Sequence, residues 1–349
     1  MLDIKTLDKY DKSGMYKVYD KWPQLAKQYY STDYDSVEFN DIDHIVFTGM
    51  GGSGAIGNVL SAILSKKNIH VSVVKGFHLP KTADSNTLAI ATSVSGNTLE
   101  TLTVLDSAIK AGCKAIAFSS GGKIESYSKK NKIEWRKVPL LNSPRASFPV
   151  YLYSILNVLK DIIPVKKDDV NESIKQLQKI WTQISSSNLV DNPSVEIAQW
   201  ISGIPMIYYP FGLHAIAIRF KNSLAENAKI HAMAEDIMEA CHNGIVAWES
   251  RSNLQPILIQ GKDDFDKTKV LWSIMKEYFS ENKIDFKVIH STSGGILTKV
   301  VNLIYLLDYS TIYHAVMSRI DPTPIRSIEF VKKRMTNVFQ SNDLDKKLH

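Results

Sequence analysis

Short apolar runs and longer amphipathic stretches alternate along most of the chain. In the first half, five runs are rich in Val, Ile and Ala: HIVFTG, IHVSVVK, TLAIATSV, CKAIAFSS and EWRKVPL. Helix-like segments, such as residues 55–66 and 98–111, separate most of them. Because the strands of a parallel sheet are buried on both faces and joined by helices, this pattern predicts an α/β unit with helices on both faces.

The same pattern returns in the second half, where IPMIYYPFG, QPILIQG and FKVIHSTSGG each combine an apolar run with a turn. A polar stretch with a helical period separates the halves, and apolar residues also recur at helical intervals before residue 40. We therefore predict four parts, which are a helical arm (1–39), a first α/β domain (40–160), a connecting helix (161–194) and a second α/β domain that ends in a helix (195–349).

Composition and charge narrow the range of partners. Of the 349 residues, 44% are hydrophobic and 22% charged, and the net charge of +6 is spread along the chain. A mild, dispersed positive charge suits a small anion better than a nucleic acid. No apolar stretch is long enough to cross a membrane or to serve as a signal peptide, so we expect a cytoplasmic protein without a membrane partner. The two cysteines, Cys113 and Cys241, lack metal-site spacing, and no metal is predicted.

A glycine-rich loop follows the first apolar run. Gly49, Gly51 and Gly54 match GxGxxG at the start of a predicted helix, where backbone N–H groups can surround an anion. The same motif binds dinucleotides, but NAD enzymes place an acidic residue at the end of the second strand. Lys75 stands there instead. An NAD-dependent oxidoreductase is therefore disfavoured, whereas NADP is not excluded by a lysine.

Three hydroxyl side chains follow the third apolar run. Ser93, Ser95 and Thr98 lie within six residues, directly before a predicted helix. Hydroxyls and helix N–H groups together can bind a phosphate dianion. A single Ser or Thr at this position is better explained as a helix N-cap, but the whole group beside the glycine loop favours a phosphate site.

The two loops, GMGGSGAIG and SVSGNTLETL, resemble the sugar isomerase (SIS) domain. This resemblance implies a flavodoxin-like fold with a parallel five-stranded sheet, present here as two such domains, and a phosphosugar ligand. It also implies which residues bind the substrate phosphate, namely Gly51, Gly52, Ser53, Ser93, Ser95 and Thr98.

Four further segments resemble the bifunctional phosphoglucose/phosphomannose isomerases, in the same order along the chain. AENAK contains Glu226, CHNGIVAWE contains His242, and PRAS contains Arg145. The end of the chain, DYSTIY followed by DPTPIRSIEFVK, places Lys332 where the family has a lysine, although the adjacent Lys333 leaves the register open. Two positions in CHNGIVAWE differ from the family pattern. Gly244 stands where the family usually has Glu, and Ala247 stands where it usually has Gly. We expect these changes to affect loop packing more than chemistry.

Aldose–ketose isomerisation needs a base that moves a proton between C2 and C1 and a second acid–base group that opens the sugar ring. The resemblance implies that Glu226 is this base, that His242 opens the ring with help from Lys332, and that Arg145 stabilises the enediolate. It implies the interconversion of glucose 6-phosphate, and of mannose 6-phosphate, with fructose 6-phosphate through a cis-enediol, without a cofactor.

The resemblance also implies a homodimer in which His242 reaches the site of the neighbouring subunit. A non-catalytic protein that only binds phosphosugars is the alternative. Such a protein would have no use for Glu226 together with His242.

Overall fold

Two parallel β-sheets form the framework of the chain, and the computed structural model describes residues 2–35 and 37–341. The first sheet has the spatial order β2-β1-β3-β4-β5. Its strands are β1 (His44–Thr48), β2 (His70–Val74), β3 (Thr87–Ser93), β4 (Lys114–Ser119) and β5 (Glu134–Lys137). The five apolar runs of the first half correspond to these five strands, so the prediction of a five-stranded parallel sheet is confirmed there.

The second sheet is also parallel and has the order β7-β6-β8-β9. Its strands are β6 (Ile204–Tyr209), β7 (Met233–Asp236), β8 (Leu254–Gln260) and β9 (Lys287–His290). The predicted second α/β unit is confirmed, but this sheet contains four strands in the described part of the chain rather than five. Strand β7, with the sequence MAED, was not predicted because it is short and half polar.

Helices cover both sheets. In the first half of the chain they are α1 (Ile4–Tyr10), α2 (Met15–Tyr19), α3 (Trp22–Tyr30), α4 (Gly51–Leu64), α5 (Leu99–Lys110), α6 (Gly122–Lys130) and α7 (Phe148–Val158). The later helices are α8 (Lys167–Ile184), α9 (Pro193–Trp200), α10 (His214–Ser223), α11 (Ile237–Ala240), α12 (Asp266–Glu281), α13 (Ile296–Met317) and α14 (Arg326–Ser341). None of the helices in the described ranges is long and apolar enough to cross a membrane.

Helix α13 lies at the centre of the main hydrophobic core. It is buried along most of its 22 residues and packs against α8, α9 and α10. The predicted N-terminal arm corresponds to α1–α3, and it packs against this core with Tyr19 and Trp22 almost completely buried. Tyr19 and Trp22 stack at 4.3 Å, and Trp22 stacks on Tyr305 of α13 at 5.2 Å.

Helix α8 lies within the predicted connecting segment, and α14 within the predicted second domain. Residues 342–349 of that domain, and residues 1 and 36 of the arm, lie outside the described residues. The domain boundaries themselves stay a prediction.

The two loops with candidate anion ligands follow β1 and β3, which are neighbours in the first sheet. Strand β2 lies on the other side of β1, so the chain leaves β1 and β3 in opposite directions. In open parallel sheets, a crevice forms at this point beyond the carboxyl ends of the strands, and ligands bind there.

Candidate active site

The glycine loop forms one side of the crevice between β1 and β3. Helix α4 begins at Gly51, whose φ of +53° is left-handed and therefore suits glycine. No described atom lies within 4 Å of the position that a Cβ would take at Gly51. The Ser53 hydroxyl, in a side chain that is only 6% exposed, accepts the N–H of Val94 at 3.1 Å. This bond ties the glycine loop to the SVSGNT loop after β3.

The SVSGNT loop supplies the hydroxyl groups on the other side. Ser93 is fully buried, and its hydroxyl lies 2.9 Å from that of Thr98. Ser95 is exposed and accepts the N–H of Asn97 at 3.3 Å. Thr98 occupies the N-cap of α5, but its side chain caps none of the described N–H groups of that helix. Backbone donors at the positive end of α5 thus remain available to an anion. We call the two loops together the phosphate cradle.

Arg145 adjoins the phosphate cradle through the backbone. A Cβ added at Gly52 would lie 3.2 Å from the Arg145 nitrogen and 3.3 Å from the Pro144 carbonyl carbon. Glycine at position 52 therefore allows the glycine loop to pack directly on the PRAS segment. The Arg145 side chain itself is only 3% exposed.

The Arg145 guanidinium joins three parts of the chain. Its Nη1 donates to Glu226 Oε2 at 3.1 Å, and its Nε donates to Asn227 Oδ1 at 2.5 Å. Its Nη2 donates to the carbonyl oxygens of Pro322 at 2.7 Å and Thr323 at 3.1 Å. These bonds use four of the five N–H donors of an arginine. Arg145 therefore connects the phosphate cradle to Glu226 and to the segment that precedes α14.

Glu226 lies in a single π-helical turn, Leu224–Ala228, at the end of α10. Such turns are rare and are found mostly at functional sites. The Glu226 side chain is 23% exposed and lines a cavity of about 520 Å³. Lys229, Asp321, Arg326 and Ile328 also line this cavity, whose volume is that of a small-molecule site. The structure thus brings Arg145, Glu226 and the phosphate cradle together from distant parts of the sequence.

A buried ion pair between Arg219 and Asp308 contacts the backbone of Arg145. Arg219 donates from Nη2 to the Arg145 carbonyl oxygen at 2.9 Å, and its guanidinium contacts Asp308 Oδ2 at 2.6 and 3.0 Å. Asp308 also accepts hydrogen bonds from Ser223 at 2.8 Å and Tyr19 at 3.2 Å. Both charged side chains are at most 3% exposed. Both charged groups of this ion pair therefore have hydrogen-bond partners within the protein, and these bonds compensate for the loss of water on burial.

Comparisons with known proteins identify the family of this chain. A family model described as the bacterial phospho-glucose isomerase C-terminal SIS domain matches residues 190–335. The bifunctional phosphoglucose/phosphomannose isomerase of Caldicellulosiruptor bescii is 30% identical over 316 residues, which cover 87% of this chain and 92% of that protein. The chain belongs to the bifunctional phosphoglucose/phosphomannose isomerase family.

Further similar proteins include a second isomerase, an epimerase and an aminotransferase domain. The bifunctional phosphoglucose/phosphomannose isomerase of Aquifex aeolicus is 30% identical over 332 residues, 92% of this chain and 96% of that protein. A D-glucosamine-6-phosphate 4-epimerase of Sulfolobus acidocaldarius is 27% identical over 332 residues, 93% of this chain and 99% of the epimerase. The C-terminal domain of glucosamine-fructose-6-phosphate aminotransferase from Francisella tularensis has a TM-score of 0.66 at 15% identity, covering 89% of this chain and 98% of that one. This last likeness shows the fold alone.

In this member of the isomerase family, His242 makes no described contact with Glu226 within the single chain. It follows α11 in an exposed turn, where its backbone N–H donates to the Glu239 carbonyl oxygen at 2.9 Å. Its side chain makes no hydrogen bond with any described residue, and it does not line the cavity beside Glu226. One chain alone thus does not place the predicted ring-opening histidine at the site.

The space beside Gly244 is filled by another acidic side chain. A Cβ added at Gly244 would lie 2.3 Å from Glu235 Oε2. Burial, and secondarily the nearby Glu239, raises the pKa of Glu235. The carboxylate of Glu235 is therefore packed against Gly244.

Lys332 lies on the exposed surface of α14. It is one helical turn beyond Ile328, whereas Lys333 lies two turns beyond Arg326. Both Ile328 and Arg326 line the cavity, so their positions do not distinguish Lys332 from Lys333. The role of Lys332 stays a prediction.

Three members of the network around Arg145 were not assigned a role from sequence, namely Asn227, Arg219 and Asp308. A charged residue inside an apolar helix, such as Arg219 in HAIAIRF, was the available signal.

Proposed function

We propose that this protein interconverts glucose 6-phosphate, and mannose 6-phosphate, with fructose 6-phosphate through a cis-enediol intermediate. The observation that carries the proposal is the contact between Arg145 and Glu226, because it joins a phosphate cradle to a carboxylate beside a cavity of suitable size. The names of the relatives support the same substrates.

The phosphate group binds first in this scheme. The N–H groups at Gly51 and Gly52 and at the start of α5 surround it, together with the hydroxyls of Ser95 and Thr98. Ser53 and Ser93 are more deeply buried, and they hold the two loops in register through their bonds to Val94 and Thr98. The phosphate thus fixes one end of the sugar and directs its other end toward Arg145.

Glu226 then transfers the proton. In the open-chain aldose, its carboxylate removes the proton from C2, and the carbonyl oxygen on C1 becomes an enediolate oxygen. The proton of the C2 hydroxyl then passes to the C1 oxygen, and the Glu226 carboxyl returns its proton to C1, which leaves the ketone at C2. The one Arg145 N–H that has no described partner is available to the enediolate oxygen. A guanidinium already fixed by four hydrogen bonds stabilises this negative charge without reorganising during the reaction.

Ring opening requires a second acid–base group, for which His242 and Lys332 are the proposed residues. We place His242 in the site of a neighbouring subunit in a homodimer, since the exposed turn after α11 is free to reach outward. Exposed apolar side chains near this turn, Met233, Met238 and Val246, support a protein contact there.

A coupled assay of fructose 6-phosphate formation tests the proposal, with each hexose 6-phosphate supplied separately in the presence of a chelator. Glu226→Gln keeps the shape of the side chain but removes the base, so we expect the rate to fall by roughly a hundredfold or more. Glu277→Gln, an exposed carboxylate on α12, is the matched control and should leave the rate unchanged. Glucosamine 6-phosphate belongs in the same substrate panel because of the epimerase relative.

The outcomes separate the alternatives. A wild-type protein that binds hexose 6-phosphates without converting them would support the non-catalytic binder. An unchanged rate in Glu226→Gln would remove Glu226 as the base. Conversion of glucosamine 6-phosphate alone would favour epimerisation over aldose–ketose isomerisation.

A further inference from the structure

Lys229 has an unusual backbone conformation next to the proposed base. Its φ of +61° is left-handed, and it directly follows the π-helical turn that contains Glu226. A left-handed residue commonly ends a helix, and Lys229 is the C-cap of the π-helical turn. What distinguishes Lys229 is the set of contacts that its side chain makes.

The Lys229 ammonium connects two backbone segments. It donates to the carbonyl oxygen of Glu226, closing the π-helical turn, and to that of Pro322 at 3.3 Å. The Pro322 carbonyl also accepts Nη2 of Arg145 at 2.7 Å. A single carbonyl oxygen thus receives both cations, and it lies only four residues before α14 begins. Arg145, the π-helical turn and the start of α14 are fixed relative to one another at this point.

The surroundings of Lys229 agree with a role in the cavity. Its side chain lines the cavity together with Glu226 and Arg326. Burial, and secondarily the positive charge of Arg145, lowers the pKa of Lys229, whereas Asp321 and Glu226 act in the opposite direction. An apolar side chain of similar length, such as that of Met, could fill the same space but could not donate to either carbonyl oxygen.

We propose that Lys229 is a positioning residue that holds Glu226 and the start of α14 in the geometry that both ring opening and proton transfer require. This proposal rests on the proposed isomerase function. Lys229 moves no proton in this scheme; it keeps the base and the helix that carries Lys332 in one arrangement.

Two NMR measurements on one sample test the proposal. The interconversion of the α and β anomers of glucose 6-phosphate reports ring opening, and exchange of the C2 proton with deuterated water reports proton transfer. In Lys229→Met we expect both rates to fall by about tenfold to a hundredfold, since displacements near 1 Å in a site cost up to about a hundredfold. Lys229→Arg, which can still donate to both carbonyls, should recover most of both rates.

Lys132→Met is the matched control. Lys132 is also an exposed lysine with left-handed φ, +54°, and it precedes β5 at the edge of the first sheet opposite the phosphate cradle. Circular dichroism and thermal unfolding of all variants show whether the fold is retained. If Lys229→Met is poorly folded, the comparison of Lys229→Gly with Lys229→Arg carries the test, because glycine adopts the left-handed φ without strain.

Each result has a clear meaning. Wild-type rates in a folded Lys229→Met or Lys229→Gly would overturn the proposal, as would a loss of proton exchange alone with ring opening unaffected. Failure of Lys229→Arg to recover either rate would also overturn it. A wild-type protein that catalyses neither reaction would overturn the proposed function instead, and the role of Lys229 with it.

Discussion

Removing the negative charge of Asp308 should destabilise the protein strongly, although this residue touches no substrate in the proposed scheme. Asp308 is fully buried, and its carboxylate accepts two hydrogen bonds from Arg219 and one each from Tyr19 and Ser223. Asp308→Asn keeps the volume but leaves the Arg219 guanidinium buried without a counter-charge. Breaking one side of a buried ion pair typically costs about 3–5 kcal/mol.

Urea unfolding followed by tryptophan fluorescence measures this loss. Trp22 is a suitable reporter because it lies in the same cluster, stacked on Tyr19 and 5.9 Å from the Arg219 guanidinium. Asp266→Asn is the matched control, since Asp266 pairs with Lys269 at 3.0 Å but is 93% exposed. An exposed pair contributes about 0–1 kcal/mol, so the control should unfold almost as the wild type does.

The same variant should also lose activity, because Arg219 supports the backbone of Arg145. At temperatures well below its unfolding transition, we expect kcat to fall more than KM changes. If the free energy of unfolding of Asp308→Asn lay within about 1 kcal/mol of the wild type, the charge of Asp308 would not be what stabilises Arg219. The conclusion that Arg219 and Asp308 hold the backbone of Arg145 in position would then be wrong.

Two smaller changes test other parts of the site. Gly52→Ala should raise KM for the hexose phosphate roughly fivefold, because its Cβ would crowd the Arg145 backbone at 3.2 Å and overpacking of about 1 kcal/mol corresponds to this factor. Gly212→Ala, where a Cβ meets no described atom within 4 Å, is the control, and equal KM values would contradict the prediction. Burial raises the pKa of Glu235, so its charged carboxylate destabilises the fold at pH values above the folded pKa. The free energy of unfolding should therefore increase as the pH falls from the folded pKa toward the unfolded value near 4.5. Glu235→Gln should reduce this pH dependence in unfolding experiments, and an identical profile would contradict it.

The positions of the two loops were predictable from sequence because their signals are local, whereas phosphate binding by them stays a prediction. Glycines after an apolar strand and hydroxyls before a helix mark the ends of β1 and β3, and parallel pairing of these strands brings both loops to one edge. Strand β7 was missed for the opposite reason. Its four residues, MAED, have neither the length nor the apolar character of the other strands, and pairing with β6 determines its conformation.

The support for Arg145 could not be predicted in the same way. Arg145 lies 81 residues from Glu226 and 177 from Pro322, and Tyr19 lies 289 from Asp308. No local pattern records such pairings. The family resemblance pointed to Arg145 and Glu226 but not to Arg219, whose position depends on the packing of α10 against α13. Likewise, the arm was predicted as helical, but its contacts with α13 emerged only from the fold.

The order of synthesis delays the contact between the arm and Asp308. Asp308, the hydrogen-bond partner of Tyr19, is made 289 residues after it. At about 5–20 residues per second, this interval lasts roughly 15–60 s. Trp22 can pack against Phe148 earlier, but the hydrogen bond between Tyr19 and Asp308 cannot form until this interval has passed.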